Sequence, residues 1–355
     1  MTTPLATETE RFENATLAEM EAFAAAVLPS YVRDYYGSGA REEQTFRGNL
    51  AAWGRWWLVP RMLVDVARVS LATTVLGQPI ALPIMVAPMS LQKLAHPDGE
   101  LATARAAAEA GTIMIVSTST TTPIEEIAAV PELAFWFQLY PFPDFEETVG
   151  MIDRAVAAGA KAVCLTVDAA SHVDAKRRPR GGMHTPDWVT FPMHPAHAQD
   201  TLATLDWPYV ERLRGRVSVP IVLKGILHPD DARAAADMGI PAVVVSNHGG
   251  RTLDGAITTA EILPEIADAV GDRLELLVDG GIRRGADVIR ALALGARAVL
   301  VGRPFLWGLA VAGQAGERHV FATLRKELEQ DARSCGIADV TRVPRDLVRI
   351  SRLGV

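Results

Sequence analysis

Residues 275–303 read ELLVDGGIRRGADVIRALALGARAVLVGR. A short apolar run ends in Asp-Gly-Gly, an amphipathic stretch with helical spacing follows, and a second apolar run ends in Gly-Arg. Runs that are apolar on both faces mark parallel strands covered on both sides. The same alternation extends upstream through ALPIMVAP (81–88), TIMIVST (112–118), AFWFQLY (134–140), AVCLTVD (162–168), IVLKGI (221–226) and AVVVSN (242–247). Between the runs lie DGELATARAAAEAG, DFEETVGMIDRAVAAG and HPDDARAAADMG, which open on Asp or Pro-Asp and stop at Gly, as capped helices do. Eight strands alternating with helices predict an α/β protein, a (β/α)8 TIM barrel. A doubly wound open sheet is the alternative, but the count is eight and no GxGxxG follows the first run.

Residues 1–80 precede the barrel. ATLAEMEAFAAAVLPSYVRDYYGSG predicts an N-terminal helical layer, and RMLVDVARVSLATTVLGQPI predicts a hairpin plugging the barrel floor. The barrel then occupies 81–355. The connection after the fourth strand, about 171–205, is rich in Pro, Gly, His and Arg; a long irregular segment of this kind reads as a lid loop.

The 355-residue chain is 49% hydrophobic and 22% charged, enough to bury a sizeable core. Its net charge of −7 argues against nucleic acid and anionic membranes as partners. Two cysteines, Cys164 and Cys335, exclude a disulfide framework and a Cys-rich zinc site. The start MTTPLATETERFENATLAEM lacks a basic n-region and an apolar h-region, and no apolar run reaches the ~18–20 residues of a membrane span. A cytoplasmic enzyme is the expectation.

In such a barrel the C-terminal strand ends face the active site. Those ends carry Pro88, Met89 and Ser90; Ser117; Gln138 and Tyr140; Thr166 and Asp168; Lys224; Asn247, His248 and Arg251; Asp279, Gly280, Gly281, Ile282 and Arg283; Gly302 and Arg303. Polar ends on apolar strands, repeated around one mouth, make a converging site. Gly280 and Gly281 before a helix start, with Arg283 and Arg303, form a phosphate-binding pattern; the glycines could instead serve a tight turn. His248 is a candidate base and Arg251 a carboxylate clamp. Lys224 inside an apolar strand requires an anion or an electron-rich ring beside it. Asp168 could orient His248, or cap a helix.

The blocks LPSYVRDYYGSGA, PIMVAPMSLQKLAHPDGELATARAAAEAGTIM, FWFQLY, LTVD, LKGI, SNHGGRTLDG, DGGIRRG and VGRPFLWGL resemble the FMN-dependent α-hydroxy-acid oxidase and dehydrogenase family along almost the whole chain. The resemblance implies an FMN cofactor. Pro88, Met89 and Ser90 would run along the flavin ring. Ser117, Gln138 and Thr166 would bond its pyrimidine side, and Lys224 would sit by N1 and O2. Asp279, Gly280, Gly281, Ile282, Arg283, Gly302 and Arg303 would hold the ribityl phosphate. Tyr35 and Tyr140 would meet the substrate, Arg251 its carboxylate, and His248, backed by Asp168, would be the base. The implied reaction is oxidation of a 2-hydroxy acid to a 2-oxo acid, by hydride or carbanion chemistry. The implied assembly is a homo-oligomer, a tetramer or octamer.

The chain also departs from that family. The second carboxylate-binding Arg expected after the fourth strand is replaced by Ala175, and Arg177, Arg178 or Arg180 either reaches in or belongs to a solvated basic loop. Ser119 stands where glycolate oxidase has a bulky aromatic, and Ser90 where Ala or Gly is usual, so a substrate larger than glycolate is expected. His172, His184, His194 and His197 crowd the lid, but no metal is expected from His scattered in a Pro-rich loop. No haem domain or apolar insertion points to cytochrome or quinone as acceptor. Two other readings stay open: oxidation of a modified amino acid or amine, motivated by the missing Arg, and a catalytically silent flavin-binding protein.

Overall fold

Eight parallel strands close on themselves in chain order: β1 (Ile84–Val86), β2 (Ile113–Ser117), β3 (Ala134–Leu139), β4 (Val163–Thr166), β5 (Ile221–Ile226), β6 (Ala242–Val245), β7 (Glu275–Val278) and β8 (Ala298–Val301). Closure is made where Val299 of β8 pairs with Ile84 of β1. The chain is therefore the (β/α)8 barrel its sequence predicts, not an open sheet. This computed structural model describes residues 12, 14–169, 177, 185–194 and 205–351.

The strands are apolar throughout because they feed two cores at period two. Met85, Ile115, Trp136, Cys164, Val222, Val244, Leu277 and Leu300 point inward and fill the barrel. Their neighbours Val86, Val116, Phe137, Leu165, Leu223, Val245, Val278 and Val301 join the larger cluster under the surrounding helices.

At the N-terminal end of the barrel sits an antiparallel hairpin, Thr73–Val75 with Gln78–Ile80. Val75 and Ile80 pack on the interior residues, and Trp136 Nε1 donates to Gln78 Oε1 at 3.4 Å. The turn between its strands places Leu76 and Gly77 both at positive φ, the geometry of a tight two-residue connection.

The opposite end is covered by the helices Ser30–Gly37 and Gln44–Ala52. Asn49 and Asn247 exchange amide hydrogen bonds at 2.8 Å, and Trp53 Nε1 donates to the Gly280 carbonyl at 2.8 Å. These bonds tie the helical layer to the loops after β6 and β7. The last helix, Arg303–Cys335, starts directly after β8 and kinks at Ala312–Gly313. The strand Val348–Ile350 returns to pair with Trp56–Leu58. Most of the connection after β4 lies outside the described residues; 185–194 are described.

Candidate active site

A cavity of about 510 Å³ opens at the C-terminal strand ends. Its lining includes Tyr35, Pro88, Met89, Ser90, Ser117, Ser119, Gln138, Tyr140, Thr166, Lys224, His248, Arg251, Asp279, Gly280, Gly281, Ile282, Arg283, Gly302 and Arg303. The strand-end residues singled out in the sequence thus meet at this one mouth, except Asp168, which lies behind His248, and Asn247, whose amide is spent on Asn49 and the Ile257 carbonyl.

His248 is held from three directions. Asp168 Oδ1 is 2.9 Å from Nδ1, the Tyr140 hydroxyl is 3.2 Å from Nε2, and the backbone N–H donates to Ser246 Oγ at 3.0 Å. The residue adopts a left-handed backbone, φ 56°, which turns its ring over the cavity. Burial works against the Asp168 charge. The charge and hydrogen bond of His248, with Lys224, nonetheless keep its carboxyl below the usual range. Burial pushes the Tyr140 phenol well up, so it is a neutral O–H.

Lys224 Nζ lies 2.9 Å from Asp279 Oδ2 and donates to Ser246 Oγ at 3.0 Å. Burial opposes its charge, but Asp279 and Asp168 outweigh that and hold the ammonium firmly protonated. The anion this lysine requires is therefore Asp279. This redirects Asp279 itself: its Oδ1 is buried with no partner, and a carboxylate accepts only, so it suits a hydroxyl donor rather than a phosphate. Ser246, which joins Lys224 to His248, escaped the sequence reading although it begins the SNHGG block.

Across β2, β3 and β4 runs a polar ladder. Ser117 Oγ donates to Gln138 Oε1 at 3.1 Å, and Gln138 Nε2 donates to Thr166 Oγ1 at 3.0 Å. The parallel register, with Ser117 opposite Gln138, puts them in line.

The corner after β7 and β8 is cationic. Arg303 donates to the carbonyls of Tyr36, Ser38 and Gly249, and Arg283 to that of Ile282. Arg283 stacks over Trp307, 4.8 Å from its ring centre. Among the described residues neither arginine forms an ion pair with a carboxylate. Burial pushes the Arg283 guanidinium down to about 10. Burial, then the neighbouring Arg251 and Arg283, lowers Arg303 well below its ordinary value. Two half-buried cations of like charge facing one cavity call for an anion between them. Gly281, at φ 84°, brings the chain against the helical layer; a Cβ there would be 2.0 Å from the Asn49 carbonyl oxygen.

Residues not singled out as site groups also line the cavity: Tyr36, Phe142, Ala169, Thr252 and Leu306. His194, noted only as one of the lid histidines, lines it too; His172, His184 and His197 lie outside the described residues. Of the three loop arginines, Arg177 bonds Glu43 Oε1 at 2.8 Å and the Gly37 carbonyl at 2.5 Å, and is not in the lining. Ala175, Arg178 and Arg180 lie outside the described residues. Among the described residues no three His, Cys, Asp or Glu side chains cluster as a metal site would require, and no helix is long and apolar enough to cross a membrane.

The donor set fits FMN. The paired, half-buried arginines suit its phosphate, the orphaned Asp279 oxygen a ribityl hydroxyl, and the amide–hydroxyl ladder the ring's polar edge. Residues 24–350 match the sequence profile of the FMN-dependent dehydrogenases.

The chain belongs to that family.

This flavoprotein, with FMN as its cofactor, is 49% identical over 335 residues to an L-lactate oxidase of Nostoc sp., covering 88% of this chain and 92% of the relative. It is 42% identical to a 4-hydroxymandelate oxidase of Amycolatopsis orientalis, covering 88% and 92%. A crystal structure of mandelate oxidase with benzoyl-formic acid superposes with a TM-score of 0.89 at 42% identity, covering 94% of this chain and 97% of that one. The flavoenzyme thus shares its fold with relatives that oxidise 2-hydroxy acids.

Proposed function

We propose that the chain oxidises an (S)-2-hydroxy acid to the 2-oxo acid, with a substrate side chain larger than that of glycolate. The observation that carries this reading is the line Asp168–His248–Tyr140, with 2.9 and 3.2 Å contacts, at the mouth that also holds Arg251.

FMN, when bound, supplies the acceptor for the two electrons that leave the substrate. Arg283, Arg303 and the glycines of the β7 and β8 loops would hold its phosphate. Ser117, Gln138 and Thr166 would meet the ring, and Lys224 would present positive charge to it. The protein's own chemistry is proton handling and positioning. His248 Nε2 takes the proton from the substrate, and the Asp168 carboxylate stabilises the imidazolium so formed. Arg251, fixed on the Tyr35 and Ser38 carbonyls at 2.9 and 3.0 Å, is set to clamp the carboxylate, and the Tyr35 and Tyr140 hydroxyls steady the substrate oxygens. Room for a larger side chain comes from Ser119, whose small side chain lines the cavity.

The deciding experiment is an anaerobic screen of the yellow holoenzyme against glycolate, lactate, mandelate and amines. Bleaching by a hydroxy acid larger than glycolate is the expected result. Bleaching by amines alone would favour the modified amino acid or amine reading, which the engagement of Arg177 away from the cavity motivates. No bleaching by any compound would leave a silent flavin-binding protein. Admission of air then separates oxidase from dehydrogenase.

The assembly proposed is a homo-oligomer, a tetramer or octamer, in the cytoplasm. Trp57, Met62, Leu63, Val64 and Ile350 expose 41–106% of their surface along one strand pair and the loop that follows it, an apolar patch suited to burial against another copy. Both cysteines are free and buried, which accords with a reducing compartment.

A further inference from the structure

We infer that Ser119 and His194 together recognise a hydroxyl at the far end of the substrate's side chain, selecting 2-hydroxy acids with a hydroxylated aryl group. The inference rests on the oxidation proposed above and deepens it.

Four aromatic rings line one side of the cavity. The Tyr140 ring lies parallel to the His248 ring, 16° between planes with centroids 6.4 Å apart. Phe142, two residues on from Tyr140, meets His194 edge-on at 5.3 Å and 67°. Behind it, His194 stacks on Phe191 at 4.7 Å and 16°, which fixes the imidazole plane. A wall built of ring faces and edges favours a flat partner over a branched aliphatic one.

That wall ends in a polar point. His194 Nε2 lies 3.3 Å from Ser119 Oγ, and the Ser119 backbone N–H is engaged separately, by Ser117 Oγ at 3.1 Å. The Ser119 hydroxyl has one hydrogen and two lone pairs, and its bond to His194 uses only one of these capacities. Burial lowers the His194 pKa, so its ring is neutral and offers one donor and one acceptor.

The pair is therefore polar without charge. It gives a terminal carboxylate or ammonium no counterion. A methyl side chain, as in lactate, has no group to hydrogen-bond the pair and no ring face to lay on the wall. An unsubstituted phenyl fills the wall but covers the hydrogen-bonding capacity that the Ser119–His194 bond leaves over, taking it from water without using it, and that opposes binding. A phenol satisfies both requirements, with ring on ring and hydroxyl on the pair. Sites that hydrogen-bond a substrate hydroxyl discriminate against the analogue lacking it far more strongly than apolar pockets discriminate by size.

The test is the ratio of kcat/KM for (S)-4-hydroxymandelate to that for (S)-mandelate, measured on the FMN-loaded enzyme and on Ser119→Ala and His194→Phe. The expected ratio is about tenfold to a hundredfold in the wild-type enzyme, collapsing towards one in both variants. Titration with 4-hydroxybenzoylformate and benzoylformate, followed through the flavin absorbance, reads the same preference without turnover and confirms that each variant is folded and loaded. A wild-type ratio of one or less, or a preference that survives both substitutions, overturns the assignment. Failure of the parent reading looks different: no hydroxy acid, hydroxylated or not, would bleach the flavin.

Discussion

A Cβ placed on Gly225 would stand 2.6 Å from the Cβ of Asp168 and 2.7 Å from its carboxyl carbon. Gly225 sits at φ 114°, beside Lys224, where the β5–β6 register slips between Lys224 and Ile226. The missing side chain on β5 is what seats the carboxylate that orients His248. Gly225→Ala should therefore keep the flavin but lower kcat by roughly a hundredfold, the scale of an ångström-sized displacement of a catalytic group. Steady-state kinetics alongside the flavin spectrum check this; wild-type kcat in the alanine variant would show that Asp168 is not where the base is set.

Asp168→Asn preserves shape and an acceptor oxygen for His248 Nδ1 but removes the charge. Together with His248→Ala it tests the base and the charge that stabilises its imidazolium. Both should lose about 10²–10⁴ in turnover, the range of general-base catalysis, while retaining FMN. A stopped-flow measurement of anaerobic flavin reduction locates the loss in the chemical step.

Arg283 and Arg303 face one another's charge at the phosphate corner, so the apoprotein should be destabilised there. FMN at about 100 times its Kd should add about 2.7 kcal/mol of stability. Inorganic phosphate should raise the apoprotein Tm more than chloride at equal ionic strength. Arg283→Gln should weaken FMN but leave riboflavin affinity unchanged, because riboflavin has no phosphate to lose. Flavin fluorescence titrations separate the two ligands.

Away from the cavity, Thr103 Oγ1 lies 2.5 Å from Gln92 Oε1 and 2.7 Å from Glu317 Oε1. One hydroxyl hydrogen cannot serve two acceptors, so Glu317 carries a proton and donates to Thr103, which donates to Gln92. Burial drives this by pushing the Glu317 carboxyl well above its usual range, and its Oε2 has no partner. With the folded pKa above the unfolded one, the stability Glu317 contributes is complete below the unfolded value and is lost as pH rises through the folded one. Glu317→Gln, which keeps the donor, should raise Tm by a few degrees near about pH 8 and change little near about pH 5. Scanning calorimetry at the two pH values decides it; a lower Tm at the higher pH would refute a buried proton.

The barrel was readable because covered parallel strands must be apolar on both faces and their helices must carry caps, as in DGGIRRGADVIRALALGA. The composition of its mouth was readable for the same reason: Lys224, His248 and Arg283 stand out where apolar runs stop. What the sequence could not supply was pairing. That Lys224 takes Asp279 as its counterion, that Ser246 joins Lys224 to His248, and that Arg177 turns to Glu43 all follow from closing a cylinder whose strands lie far apart in the chain. The same closure brings His194 onto Ser119, 75 residues away. Residue type and local period are written in the chain itself, because they report which environment each side chain tolerates. Which polar atom meets which is decided only by packing, since hydrogen bonds act over about 3 Å and nothing in a linear order fixes distances that short across the fold.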